Sequence, residues 1–145
     1  MYKPLLATAW AALLLAGCGD RTQAVVAAAS PQTAQPARNF MLFFGNDRAT
    51  VTPESEAVIH EAAQAAKASP NGRVTVAGNA DTFGAGSYNM TLSQRRAQAV
   101  RDELVKQGVN QASIAVVGQG EDALLVSTKD GVREPKNRRV EIIVQ

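Results

Sequence analysis

The chain of 145 residues contains one histidine and one cysteine. Zinc sites and Cys/His catalytic pairs need several such side chains in one place, so the sequence argues against both. The histidine, His60, lies in an alanine-rich stretch with helical character and is expected to have a structural role. The cysteine has no partner within the chain, which leaves its thiol to be explained in another way.

The chain also lacks a strong excess of one charge. Fifteen Lys plus Arg are set against thirteen Asp plus Glu, and removal of residues 1–17 would take away only Lys3. The remaining chain would then be nearly neutral. Nucleic-acid-binding domains carry a clear basic footprint, so we expect no nucleic-acid partner.

Long apolar runs are absent as well. The run from Leu5 to Leu15 is about half of the roughly 20 residues that a membrane-spanning helix needs. Lys3 precedes it and small residues follow it, which is the layout of a secretory signal peptide. We therefore expect residues 1–17 to be a cleaved signal peptide.

Leu-Ala-Gly-Cys at residues 15–18 resembles the lipobox of bacterial lipoproteins. The resemblance implies that the thiol of Cys18 carries a diacylglycerol, which would anchor the protein to a membrane by lipid. An unused single thiol in an oxidising compartment would be a liability. Gly19 stands where such lipoproteins often have a retention Asp, which favours the outer membrane. The alternative is an ordinary signal peptide with a chance cysteine.

The next segment, residues 19–38, is rich in Ala, Gln, Thr, Ser and Pro and has no aromatic residue, leucine or isoleucine. It cannot bury enough apolar surface to fold, so we assign residues 18–38 as a lipidated cysteine and a flexible tether. Residues 39–145 have the size of one ordinary domain and are expected to form one core.

Short apolar or alternating runs predict four strands in this domain, at residues 40–44, 73–79, 113–120 and 137–144. One helix is predicted to begin with Thr52 as N-cap and Pro53 at its first position, and another to run from Tyr88 to Gln107. The order βαβαββ predicts an α+β fold, or α/β sandwich, with a mixed sheet covered on one face by two helices.

One face of the second predicted helix combines apolar and polar residues, namely Asn89, Leu92, Arg96, Val100 and Leu104. A guanidinium in such a stripe is costly unless it reaches the helix end or meets an anion. Asp81 lies just after the second strand and is a candidate neighbour. Two interpretations remain open: a structural ion pair between Asp81 and Arg96, or a pocket for an anionic or zwitterionic ligand.

Four short motifs follow one another along the domain: "GNAD" at 78–81, "NMTLSQRRA" at 89–97, "GQGE" at 118–121 and "NRRVE" at 137–141. In this order and spacing they resemble the OmpA-like peptidoglycan-binding domain. With the lipobox, the chain is similar to the peptidoglycan-associated lipoproteins. The resemblance covers about residues 40–145 and implies non-catalytic binding of peptidoglycan through the diaminopimelate residue of its stem peptide.

The resemblance also implies roles for individual residues. Asp81 would bind the ammonium of diaminopimelate, and Arg96 would bind its carboxylate with the planar guanidinium. Arg138 would be a second basic contact. Other positions that match the pocket of the family are Asn89, Leu92, Asp47 and the backbone of Ala80.

Two residues depart from the family pattern beside the site. The family histidine is Asn79 here and the family threonine is Ala80. Loss of a neutral hydrogen bond would weaken binding by about 0.5 to 1.5 kcal/mol. Gly45 also replaces the aspartate that is usual in the first loop.

Two other functions are considered. The domain could dock a periplasmic protein, such as a component of the Tol system or of a secretion or motor assembly, with a weakened peptidoglycan site. It could also be a cell-wall hydrolase in which Asp81 and Glu121 form a carboxylate pair. The sequence shows no activated nucleophile, metal site or cofactor site, so we expect a protein that is not an enzyme.

The lipobox interpretation predicts that Cys18→Ser leaves an unlipidated precursor, because no thiol remains to accept the diacylglycerol. Metabolic labelling with palmitate should mark the wild-type protein and leave the variant unmarked. Persistent labelling of the variant would contradict the assignment of Cys18.

Overall fold

The computed structural model describes residues 36–69 and 71–145. The predicted signal peptide, Cys18 and the tether up to residue 35 lie outside the described residues, so these assignments stay predictions. Within the two described ranges, no helix combines the length and the apolar character that crossing a membrane requires.

The described part contains four strands and two long helices, together with short 3-10 turns at Gln111–Ser113 and Pro135–Asn137. In chain order they are β1 (Arg38–Phe43), α1 (Pro53–Ala68), β2 (Val74–Gly78), α2 (Gly86–Lys106), β3 (Ile114–Gly118) and β4 (Arg139–Val144).

The strands form one sheet in the order β1-β4-β2-β3. Strands β2 and β3 are parallel, joined by α2 as a crossover, whereas β4 is antiparallel to both of its neighbours. The predicted βαβαββ order and mixed sheet are confirmed. This topology places the carboxyl ends of β1, β2 and β3 at one edge of the sheet, beside the amino end of β4.

The core lies between the two helices and one face of the sheet. Alternate strand residues supply the sheet side, namely Leu42, Val74, Val76, Val140, Ile142 and Val144. Helix α1 contributes Ile59 and several alanines, and α2 contributes Ala97, Val100 and Leu104. Strand β4 thus presents an apolar face to the core, and each large aliphatic side chain buried there stabilises the fold by about 1.5 to 3 kcal/mol.

The helix ends differ in how well the sequence predicts them. The hydroxyl of Thr52 accepts a hydrogen bond from the amide of Ser55 at 3.3 Å, as expected for an N-cap. Helix α2 starts two residues before the predicted Tyr88. Its N-cap is Ala85, whose carbonyl accepts the first helical hydrogen bond, from the amide of Asn89. Ala85 has no side-chain oxygen, so the pattern of capping residues does not mark this start.

Gly78 allows α2 to pack closely on the end of β2. A Cβ atom at this position would lie 2.0 Å from the carbonyl oxygen of Ser93 and 3.2 Å from the Cβ of Ala97. The Ser93 hydroxyl in turn accepts a hydrogen bond from the amide of Gly120 at 2.8 Å. The position of the α2 turn that carries Arg96 therefore depends on the missing side chain of Gly78.

We predict that Gly78→Ala destabilises the domain by about 3 kcal/mol, the upper range of overpacking costs, because the new methyl group meets backbone atoms. Urea unfolding of the unlipidated chain from residue 19 would measure this. Gly45→Ala is the control, since its new Cβ would meet only the Arg48 side chain, at 3.2 Å, and should change the stability by less than about 1 kcal/mol. Equal unfolding midpoints for the two variants would contradict the packing argument.

Candidate functional site

Charged side chains gather at the edge of the sheet where β1 and β2 end and β4 begins. They come from the loops after β1 and β2, from the first turns of α2 and from the segment before β4. Together with their neighbours they line a cleft of about 300 Å³. The lining residues are Asn46, Asp47, Asp81, Phe83, Gly84, Tyr88, Asn89, Leu92, Arg96, Arg133 and Arg138.

Arg96 is a fully buried cation in the wall of this cleft. Its Nε donates to the carbonyl of Arg48 at 2.8 Å, Nη1 to the carbonyl of Asn79 at 2.9 Å and Nη2 to that of Gly45 at 3.0 Å. A guanidinium has five N–H groups, so two remain after these three bonds, one on each terminal nitrogen. Its central carbon also lies 5.4 Å from the ring centroid of Phe44.

Burial lowers the pKa of Arg96 to about 10, and the nearby charge of Asp81 offsets part of this effect. The lowered pKa is still well above neutral pH, so the guanidinium keeps its charge. Among the described residues no carboxylate lies within ion-pair distance of it, although burial of a lone charge is costly. Among the described residues, this buried cation therefore has three backbone carbonyls as its hydrogen-bond acceptors.

The structure does not contain the ion pair between Asp81 and Arg96, because Asp81 pairs with Arg138 instead. Oδ2 of Asp81 accepts a hydrogen bond from Nη1 of Arg138 at 3.1 Å and a second from the amide of Glu134 at 3.2 Å. Arg138 enters the site just before β4, and its Nε donates to the carbonyl of Phe44 at 3.3 Å. Three carbonyls already converge on Arg96, so Asp81 pairs instead with the arginine that arrives from the other end of the chain.

Asp47 lines the cleft from the loop after β1, in a left-handed backbone conformation with φ of 53°. Its Oδ1 accepts a hydrogen bond from the hydroxyl of Tyr88, in the first turn of α2. This bond raises the pKa of the Tyr88 hydroxyl above its ordinary value. Asp47, predicted to line the site, thus lies in the cleft and joins the loop after β1 to the start of α2.

Asn89 and Leu92 also line the cleft, from successive turns of α2. The side-chain amide of Asn89 donates to Oε2 of Glu121 at 2.7 Å. Glu121 itself is absent from the residues that line the cleft. The carboxylate pair of Asp81 and Glu121 considered for a hydrolase is therefore not gathered in one cleft.

Ala80 and Asn79, the two positions that depart from the family pattern, lie behind the cleft wall. Ala80 is 1% exposed, and its amide donates to the carbonyl of Gly120 at 2.7 Å, so it contributes backbone only. Asn79 is fully buried; its side-chain nitrogen donates to the Ala77 carbonyl at 3.3 Å, and its Oδ1 has no hydrogen-bond partner in the described ranges.

Sequence reasoning missed several lining residues. Arg133 lies in the segment between the third and fourth motifs, and its guanidinium stacks on the ring of Phe83 with 4.0 Å between the guanidinium carbon and the ring centroid. Neither residue belongs to a motif or to a periodic pattern. Their approach depends on the path of the loop that follows β3, which spacing along the chain does not encode.

The side chains that line the cleft include fixed charges of both signs. Three arginines and two aspartates line it, and within the described part of the chain no cluster of His, Cys, Asp and Glu could hold a metal ion. Fixed charges of both signs in one cleft suit a ligand that carries both an anionic and a cationic group.

Comparison with known proteins gives three findings. The model of the OmpA family matches residues 43–138 of this chain. An outer membrane protein of Gluconacetobacter diazotrophicus is 43% identical over 115 residues, which cover 75% of this chain and 30% of that protein. A peptidoglycan-associated lipoprotein of Pseudomonas putida is 37% identical over 127 residues, which cover 88% of this chain and 75% of that protein.

The fold has a solved counterpart. The crystal structure of the peptidoglycan-associated lipoprotein of Burkholderia pseudomallei matches with a TM-score of 0.67 at 30% identity, covering 73% of this chain and 90% of that one. The chain thus spans most of the two lipoproteins but only 30% of the Gluconacetobacter protein.

We predict that Asp81 and Arg138 are strongly coupled in stability, because their side chains are only 7% and 13% exposed. A double-mutant cycle with Asp81→Asn and Arg138→Gln, measured by urea unfolding, should give a coupling energy of about 1 to 3 kcal/mol. The exposed pair Arg101–Asp102 is the control and should give less than about 0.5 kcal/mol. Additive effects of the two site mutations would contradict the structural pairing.

Proposed function

This chain belongs to the OmpA family, and we propose that its folded domain binds peptidoglycan without catalysing a reaction. The observation that carries this proposal is the buried guanidinium of Arg96 in the cleft wall, which has no carboxylate partner among the described residues and lies near Asp81. A ligand carboxylate would supply the counter-charge that the fold leaves out.

The ligand we propose is the free end of diaminopimelate in the peptide stem, which carries an ammonium and a carboxylate. The carboxylate would accept from the two N–H groups of Arg96 that the three carbonyls leave over, and because Arg96 is fully buried, the side chains that cover it would have to shift for this contact. The ammonium would contact Oδ1 of Asp81, which accepts no hydrogen bond from the described residues, whereas Oδ2 is held by two donors. Both partners of the zwitterion are thus oriented before it binds.

The departures at Asn79 and Ala80 leave the residues of the proposed binding site in place. Both side chains are buried behind the cleft and leave the lining charges in place. A hydrogen bond to a charged group contributes about 1.5 to 3 kcal/mol, more than the neutral bond that the missing imidazole or hydroxyl would add. The charged contacts should therefore dominate the affinity.

We further propose that the domain is held at the outer membrane through a lipid on Cys18. Support comes from the lipobox and from relatives that are named an outer membrane protein and peptidoglycan-associated lipoproteins. The nineteen residues between Cys18 and β1 would span at most roughly 63 to 68 Å when fully extended. Such a reach allows a lipid-anchored domain to contact a cell wall that lies some distance from the membrane.

We predict that Arg96→Lys lowers the binding of the unlipidated chain, residues 19–145, to diaminopimelate-type sacculi by about ten- to a hundred-fold, because the planar fork is lost while the positive charge remains. Co-sedimentation measures this, and free diaminopimelate should displace the wild-type protein. Arg95→Lys is the matched control, since Arg95 is the neighbouring arginine on the exposed face of α2.

Arg96 also holds three backbone carbonyls, so the thermal unfolding of each variant must be recorded in parallel. A folded Arg96→Lys variant that sediments like the wild type would contradict the proposal. If the wild-type domain stayed in the supernatant, the function would be docking to an envelope protein instead. Release of soluble muropeptides from the sacculi would instead indicate a hydrolase.

A further inference from the structure

Arg133 and Phe83 form a stacked pair that lines the cleft. Both side chains are exposed, and the guanidinium carbon lies 4.0 Å from the centroid of the ring. A cation within about 6 Å of an aromatic face is attracted by the ring quadrupole. The stacking restrains the guanidinium but uses none of its N–H groups, so these stay available for an acceptor.

The backbone on either side of Arg133 is fixed to the loop after β2. The amide of Val132 donates to the hydroxyl of Thr82 at 3.2 Å, and the amide of Glu134 donates to Oδ2 of Asp81 at 3.2 Å. Thr82 is buried, and its hydroxyl also donates to the carbonyl of Lys129 at 2.7 Å. The base of the Arg133 side chain is therefore tied to the same aspartate that is proposed to bind the ligand ammonium.

Arg133 gives the cleft an excess of one positive charge, since three arginines and two aspartates line it. Asp81 pairs with Arg138, and Asp47 accepts from Tyr88. In the part of the chain that the structure describes, neither Arg96 nor Arg133 has a carboxylate partner. A ligand with one carboxylate and one ammonium would compensate Arg96 and leave Arg133 without a counter-charge.

Resting on the proposed function, we propose that Arg133 binds a second carboxylate of the same ligand. The preferred ligand is then a peptide with a carboxylate adjacent to its zwitterionic residue. In a stem peptide this carboxylate belongs either to the glutamyl residue before diaminopimelate or to the C-terminal residue after it. Both present the same chemistry to a guanidinium.

A solvated arginine is the usual alternative, because exposed ion pairs contribute little when both side chains must first be ordered. Arg133 differs in that stacking on Phe83 and the flanking hydrogen bonds order it in advance. Less side-chain freedom is then lost when a carboxylate arrives. Phe83 would act through Arg133 as a positioning residue.

The test uses the unlipidated chain, residues 19–145, and isothermal titration with the tetrapeptide L-Ala-γ-D-Glu-diaminopimelate-D-Ala. Arg133→Gln should weaken binding by roughly three- to five-fold, the range of one partly exposed ion pair. Two further peptides, amidated either at the glutamyl α-carboxylate or at the C-terminus, identify the group. The peptide that is amidated at the carboxylate contacted by Arg133 should bind the wild type and Arg133→Gln with equal affinity.

One control variant and one variant that tests the stacking accompany this experiment. Arg73→Gln removes one positive charge from an exposed residue at the opposite edge of the sheet, where β2 begins, and should leave the affinity unchanged. Phe83→Leu keeps the charge of Arg133 and removes the stacking, so it should weaken binding of the tetrapeptide and have less effect once the contacted carboxylate is amidated.

The outcomes separate the two proposals. If the wild type binds the tetrapeptide and Arg133→Gln binds it equally well, the second carboxylate contact is wrong while peptidoglycan binding stands. An equal loss for Arg73→Gln would also overturn the contact, because the effect would be one of total charge. If the wild type binds neither the tetrapeptide nor sacculi, the proposed function fails and the contact of Arg133 fails with it.

Discussion

The burial of the Arg96 guanidinium is the constraint on which the rest of the site depends. Its three N–H···O=C bonds join the loop after β1, at Gly45 and Arg48, to the loop after β2, at Asn79. Burial partly desolvates the charge and lowers the pKa of Arg96 to about 10. Carbonyl dipoles hold the cation in place but do not neutralise it. The fold thus orients the positive charge of Arg96 in the wall of the cleft.

The two other arginines of the cleft complement this arrangement in different ways. Arg138 fixes the carboxylate of Asp81 and neutralises it in part, so that the aspartate is oriented although it is buried. Arg133 is restrained by stacking on Phe83 and by the hydrogen bonds that Thr82 makes to the segment around it. Ordering of these groups before a ligand arrives lowers the entropy that binding would cost. The proposed recognition would therefore depend on charges that are oriented before the ligand binds.

How far the site could be predicted depended on the kind of contact. Arg96 was identified because a cation in an apolar helical stripe needs an explanation, and the structure does bury it in the cleft. Its true partners were not predictable, since backbone carbonyls exist at every position and carry no signature in the sequence. The ion pair between Asp81 and Arg96, one of the two interpretations that the sequence left open, is not formed, and Asp81 pairs with Arg138 instead. Arg138 lies 57 residues away in the chain and reaches Asp81 only through the pairing of β4 with β2.

Local sequence patterns were enough to predict the strands and helices of the described residues and the N-cap at Thr52. These features depend on neighbours within a few residues, where periodicity and capping chemistry act. Its four motifs also sufficed to identify the family. The folded domain was needed to show which charges meet, that Arg96 and Arg133 have no carboxylate partner among the described residues, and that Arg133 lines the cleft. Such contacts join segments far apart in the chain, and they exist only once the sheet order brings the loop ends to one edge.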